Sequence, residues 1–196
     1  MTGFDQDAGI RAATALLLRQ RLHNLAIDVM KLRYDKEIHF RSMQNFCATT
    51  RTTMEELNRS SDTRDGLTLR RKRGDGQLYL VLYNEAAGSL RRRNFTLAHE
   101  IGHIYLEHAD DGDEQERQAN SFAAQLLLPG ILVERLIRQG PLTAGDLCDI
   151  FFVSRQAAEN RLRNMVGDLG YTDGDRALLD RFGGLLPNLT GPVVTI

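Results

Sequence analysis

The sequence predicts an α+β fold, mostly helical, built around a small β-sheet that contains a hairpin. Three observations carry that expectation. The stretch LTLRRKRGDGQLYLVLYN reads as two strands around a glycine turn, spanning about Leu67 to Tyr83. On both sides of it, apolar residues recur at three- and four-residue spacings, as on amphipathic helices. At 196 residues the chain fits one ordinary domain and is long enough to bury a core.

Taken in order, Ile10, Leu17, Leu18, Leu22, Leu25, Val29 and Leu32 predict one long helix from about residue 8 to 33. His23 lies within it as a bystander. One or two short helices are expected from Ile38 to about Asn58, the second opened by the capping-box spacing of Thr53 and Glu56. Ser60–Gly66 is a loop on composition. In the hairpin, the bases Arg70 to Arg73 read as a solvated end in preference to a phosphate site. A histidine-bearing helix follows, then the acidic loop HADDGDE, then a helix ending at Pro129 and further helix to about Leu169. Residues 1–170 are expected to form a single domain, with a helix-turn-helix-like part at about 141–170. Residues 171–196 are expected as a loop-rich tail that is irregular or adds a late strand.

Composition narrows the function classes. Hydrophobic content of 42% and charged content of 26% are those of a globular protein, and a net charge of −1 gives no global pull toward nucleic acid. Cys47 and Cys148 sit far apart in apolar surroundings, as reduced core thiols do. Asp5 and Asp7 stand where a secretory signal would carry bases, and Arg19 and Arg21 cut short the run ALLL. A cytoplasmic protein with no membrane partner is expected.

Chemistry concentrates in RRRNFTLAHEIGHIYLEH, Arg91–His108, which holds three of the five histidines. His99-Glu100-Ile101-Gly102-His103 matches H-E-x-x-H. On a helix, His99 and His103 lie about 40° apart, so both imidazoles can hold one metal while Glu100 reaches a water beside it. Leu97, Ile101, Ile104 and Tyr105 form a separate apolar stripe. One face therefore suits a core and the other the floor of a cleft. Gly102 costs about 1 kcal/mol relative to alanine in such a helix, a cost that a close backbone neighbour would explain.

A catalytic zinc needs a third protein ligand. His108 comes five residues after His103, one short of the long metzincin spacing, and is set aside as incidental. Acidic candidates follow in DDGDEQERQANSFAAQLLLP, where Asp113, Glu114 and Glu116 all remain in play. Glu116 and Asn120 share a helical face, as a ligand and its supporting amide would. Against this, Asp113 to Glu116 is also a capping-box spacing.

FTLAHEIGHIYLEH followed closely by ERQANSFAAQLLLP resembles the ImmA/IrrE family of metallopeptidases, and DLCDIFFVSRQAAENRL resembles the family's continuation. The likeness runs from about Leu78 to Met165. It implies a metalloendopeptidase with His99, His103 and Glu116 as metal ligands and Glu100 as general base, zinc being the default metal for two histidines and a carboxylate. Manganese or iron suits the same ligand types. It further implies a protein substrate, a helix-turn-helix repressor whose cleavage releases genes of a mobile element or stress response. Many relatives carry glutamate where this chain has Gln118, and methionine where it has Leu128.

A rival reading rests on DLCDIFFVSRQAAENRLRNM, which has the form of a helix-turn-helix with Ser154 as N-cap and Arg155, Gln156, Asn160, Arg161 and Arg163 on its second helix. It would make the chain a DNA-binding regulator; a third reading is an anti-repressor that binds its repressor without cutting it, the metal being structural. Near-neutral charge and the acidic loop weigh against direct DNA contact, and Ala157, Ala158, Leu162 and Met165 look committed to packing.

Overall fold

A computed structural model of the chain describes residues 7–59, 65–109, 112–164 and 172–189. The hairpin forms as expected. Strands β2 (Gly66–Arg73) and β3 (Gly76–Tyr83) pair antiparallel, and Gly74 at the turn takes φ 58°, a left-handed conformation open to glycine. Strand β1 (Glu37–Ser42) adds to β3 in parallel, giving the order β1-β3-β2. Ile38–Ser42 was expected to be helical, and the structure corrects that. Partly buried Ile38 and Phe40 alternate with exposed Glu37, His39 and Arg41, the period of a strand. Ser42 then caps α2 (Met43–Thr49), its Oγ accepting from the Asn45 amide at 3.2 Å.

Period two also sorts the sheet's faces. Leu80 and Leu82 of β3, with Leu67 and Leu69 of β2, meet Met43 and Leu57 of α2 and α3 (Met54–Arg59) in a small cluster. Tyr79 and Val81 join the main core. The alternate positions of β2, namely Gly66, Thr68 and Arg70, share the opposite face from Leu67 and Leu69, toward α4 (Leu90–Tyr105).

The long first helix is also corrected: α1 spans Asp7–Leu18 only. Gln20 turns the chain back, its amide donating to the carbonyls of Leu16 and Arg33 while its Oε1 accepts from the Arg33 amide. Beyond it Leu25, Ile27 and Val29 are buried at every second residue, a spacing that also fits a helical template when read at every third or fourth. Asn94 of α4 supplies a substitute for a strand partner: it donates to the Ile27 carbonyl at 2.7 Å and accepts from the Val29 amide at 3.0 Å. Tertiary pairing overrides local pattern here.

Helix α5 (Asp113–Leu127) packs between α1 and α4, followed by α6 (Gly130–Ile137), α7 (Ala144–Phe151) and α8 (Arg155–Asn164). Part of the expected loop-rich tail is instead α9 (Asp173–Phe182), opened by a Thr172–Asp175 capping box that holds both backbone donors. Its Leu178 and Phe182 are buried, and Arg181 donates to the Gln20 carbonyl. Met165 and the end of the tail lie outside the described residues. No helix among the described residues is long and apolar enough to cross a membrane, and Cys47 and Cys148 are free thiols.

Helices α1 and α5 touch backbone to backbone. A Cβ added at Gly9 would stand 2.3 Å from the Gln118 carbonyl oxygen and 2.9 Å from the Phe122 amide nitrogen. A buried hydrogen bond from Gln125 to Thr14 ties the same pair. Gly9→Ala should therefore lower stability by about 1–3 kcal/mol through forced separation of the helices. A denaturant midpoint equal to that of the parent would contradict the contact.

Candidate metal centre

Helix α4 begins at Ser89, whose Oγ accepts from the Arg92 amide, and every residue from Leu97 to Ile104 is buried. The polar face is thus covered, not open. His99 and His103 are each only 8% exposed and Glu100 7%, because α5 closes one side of the helix and β2 the other. Gly102 permits the first closure. Its added Cβ would lie 3.1 Å from Ala119 Cα and 3.2 Å from the Ala119 oxygen, both in the backbone of α5. That is the close approach the glycine's helical cost called for.

With the helices this near, Glu116 faces the histidines. Its Oε1 lies 3.2 Å from His103 Nε2 and its Oε2 3.4 Å from His99 Nε2, and the two Nε2 atoms are 2.9 Å apart. The capping box that competed for Glu116 does not form: Gly112 is the N-cap, with no side-chain cap bond. Of the three acids left open by spacing, Glu116 alone joins this cluster among the described residues. Glu114 bonds Arg117 and Gln118 instead. Asn120 stands beside His99, its Oδ1 3.1 Å from Nδ1.

Donor chemistry fixes what the rings present. An amide oxygen only accepts, so Asn120 calls for a proton on His99 Nδ1, and the neutral ring then has its lone pair on Nε2. Burial first, then His99, His108 and the Arg70 guanidinium, push the His103 imidazole down to about 3, so this ring is neutral and has a lone pair to give. Converging imidazole nitrogens and a carboxylate repel unless a cation sits among them. Ligand atoms around a tetrahedral zinc with bonds of about 2.0–2.1 Å stand roughly 3.3 Å apart, which the three separations bracket. The residues fit a divalent metal.

Glu100 points to β2. The Thr68 hydroxyl donates to its Oε2 at 2.6 Å, and a Cβ on Gly66 would come within 3.0 Å of Oε1. No motif announces Thr68 or Gly66; only the period-two pattern of β2, read against the histidine helix, could have pointed to that face. Arg70, grouped by sequence with a solvated end, donates to the His108 carbonyl. Arg73 pairs with Glu37 at 2.6 Å. His108, set aside on spacing, is 9% exposed and lies against His103. A cleft of about 620 Å³, lined by Asp35, Arg70, Gln77, Tyr79 and Glu107 among others, opens beside this end of the sheet.

In the helix-turn-helix-like part, Phe152 between α7 and α8 has φ 55°, and Ser154 Oγ caps α8 by accepting from Ala157. Ala158 is fully buried. Arg161 turns inward beside Gly130 with its Nε buried and without a hydrogen-bond partner among the described residues. Arg155 bonds Glu159, and Gln156 bonds Asn160.

Compared with known families, residues 58–163 match the model of the M78 peptidases, described as the IrrE N-terminal-like domain. That span is just over half the chain and contains the whole cluster. No curated protein matches the chain.

Glu116→Ala should remove the carboxylate corner. Metal content, measured on folded protein by elemental analysis, is expected to fall from about one divalent ion per chain to well below half. A folded, fully metallated variant would refute the assignment.

Proposed function

The chain belongs to the peptidase family of the IrrE N-terminal-like domain, and from that premise we propose that it is a zinc-dependent endopeptidase of the cytoplasm. Its substrate in this proposal is a helix-turn-helix transcriptional repressor, cut so that genes of a mobile element or stress response are released. The observation that carries the reading is the convergence of buried His99 and His103 with the half-buried carboxylate of Glu116, beside buried Glu100. The choice of substrate rests on the family resemblance.

His99 Nε2, His103 Nε2 and the Glu116 carboxylate would hold the ion. Bound there, zinc supplies a water acidified toward neutrality and polarises a peptide carbonyl. Glu100 takes the proton from the attacking water at its carboxylate and passes it to the leaving amine. Thr68, donating to Oε2, fixes the rotation of that carboxylate. Surrounding burial keeps bulk water from competing for the proton. Because β2 is an edge strand of the sheet among the described residues, an extended peptide can add to it by main-chain hydrogen bonds and so pass the face that carries Thr68.

The inward turn of Arg161 and the internal pairing of Arg155 and Gln156 support a packing or protein-docking use of α7–α8 over base reading. The experiment pairs purified protein with the repressor encoded beside its gene. Glu100→Gln should reduce cleavage by at least about 100-fold with metal retained; undiminished cleavage would remove Glu100 as the base. Thr68→Val should lower kcat roughly 10- to 100-fold with metal content unchanged, since a hydrogen bond to a charged group is worth about 1.5–3 kcal/mol. Equal kcat would show that the hydroxyl has no part in orienting the base.

A further inference from the structure

His108 occupies a position that the chain is built to hold. After α4 the backbone reverses at Glu107, which takes φ 56°, a left-handed conformation costing a non-glycine residue about 1–2 kcal/mol. The reversal folds His108 back so that its amide donates to the His103 carbonyl at 3.1 Å. From β2, Arg70 donates to the His108 carbonyl. The ring is thereby set edge-on to that of His103, with centroids 5.0 Å apart and planes at 79°.

Its hydrogen bonds run in one direction only. Glu114 Oε1 accepts from Gln118 Nε2 at 3.0 Å, so the amide's oxygen faces away from Glu114. That oxygen lies 3.0 Å from His108 Nε2 and can only accept, which puts the His108 proton on Nε2. In the neutral His108 ring Nδ1 is then an acceptor, and 3.1 Å away stands His103 Nδ1, which is the donor. With its proton on Nδ1, His103 turns a bare Nε2 toward His99 and Glu116.

We propose that His108, held by Gln118 and Glu114, is a positioning residue that fixes the Nδ1–H tautomer and the ring orientation of His103. His103 then offers Nε2 to a metal. The group that accepts from a metal-binding histidine is commonly a carboxylate or a carbonyl; here an imidazole acts as acceptor and an amide polarised by a carboxylate stands behind it. For the metal site the inference rests on the metallopeptidase reading, whereas the tautomer itself is a property of the metal-free protein.

The test separates the two. In metal-free protein with ¹⁵N-labelled histidine, the His103 ring should be protonated on Nδ1 in the parent and in Gln118→Glu, which keeps an acceptor for His108. His108→Leu should lose that state while keeping its thermal midpoint. A parent His103 protonated on Nε2, or an Nδ1–H state untouched by His108→Leu, would overturn the proposal whether or not the chain is a peptidase. Zinc affinity, read by competition with a chelator, should fall 10- to 100-fold in His108→Leu. It should return to within about threefold of the parent in His108→Asn, whose Oδ1 can accept from His103. Affinity unchanged in His108→Leu would also overturn it. A parent with the expected tautomer that fails to bind zinc would support the relay and remove the metallopeptidase reading instead.

Discussion

The site depends on how closely two helix backbones approach. Where α4 carries Gly102 and α5 carries Ala119, only a few tenths of an ångström separate tight contact from collision. That approach brings Glu116 to the two imidazoles, and Asn120, one turn further along α5, to the far nitrogen of His99. The adjoining backbone of α5, at Gln118 and Phe122, is fixed in the same way against Gly9 of α1. A ligand set drawn from two helices needs such a clamp, because an imidazole and a carboxylate hold an ion well only when neither can drift.

Strand β2 does the corresponding work for the acid–base half. One of its faces feeds the small cluster behind the sheet, while Gly66, Thr68 and Arg70 look toward α4. Gly66 makes room for Glu100, Thr68 binds it, and Arg70 secures the carbonyl of His108. The same strand therefore holds the base at one point and the support of a metal-facing histidine at another.

Much of this was legible in the residues. The hairpin, the histidine helix and the chemistry of H-E-x-x-H follow from periodicity and side-chain type, and Gly102 marked a close contact before its partner was visible. The long first helix and the helix expected at Ile38 misled for one reason: short apolar runs satisfy templates of period two and of period 3.6 alike. What decided them was long-range pairing, of Leu25–Val29 with Asn94 and of β1 with β3. Thr68 and Gln118 had no local mark, because their roles depend on which side chain from another segment meets them. His108 was discounted by counting along the chain, and a single left-handed residue at Glu107 brings it back to His103.

The single direction of the bonds from Glu114 through Gln118 and His108 to His103 makes their energies dependent on one another. Residues that share a network couple by about 0.5–3 kcal/mol, so their contributions do not add. Once His108 cannot accept, the orientation of Gln118 no longer reaches His103, and a second substitution there changes little that the first has left. The order of the chain thus sets an order of importance, in which each member matters only while every member nearer the metal-facing ring is intact.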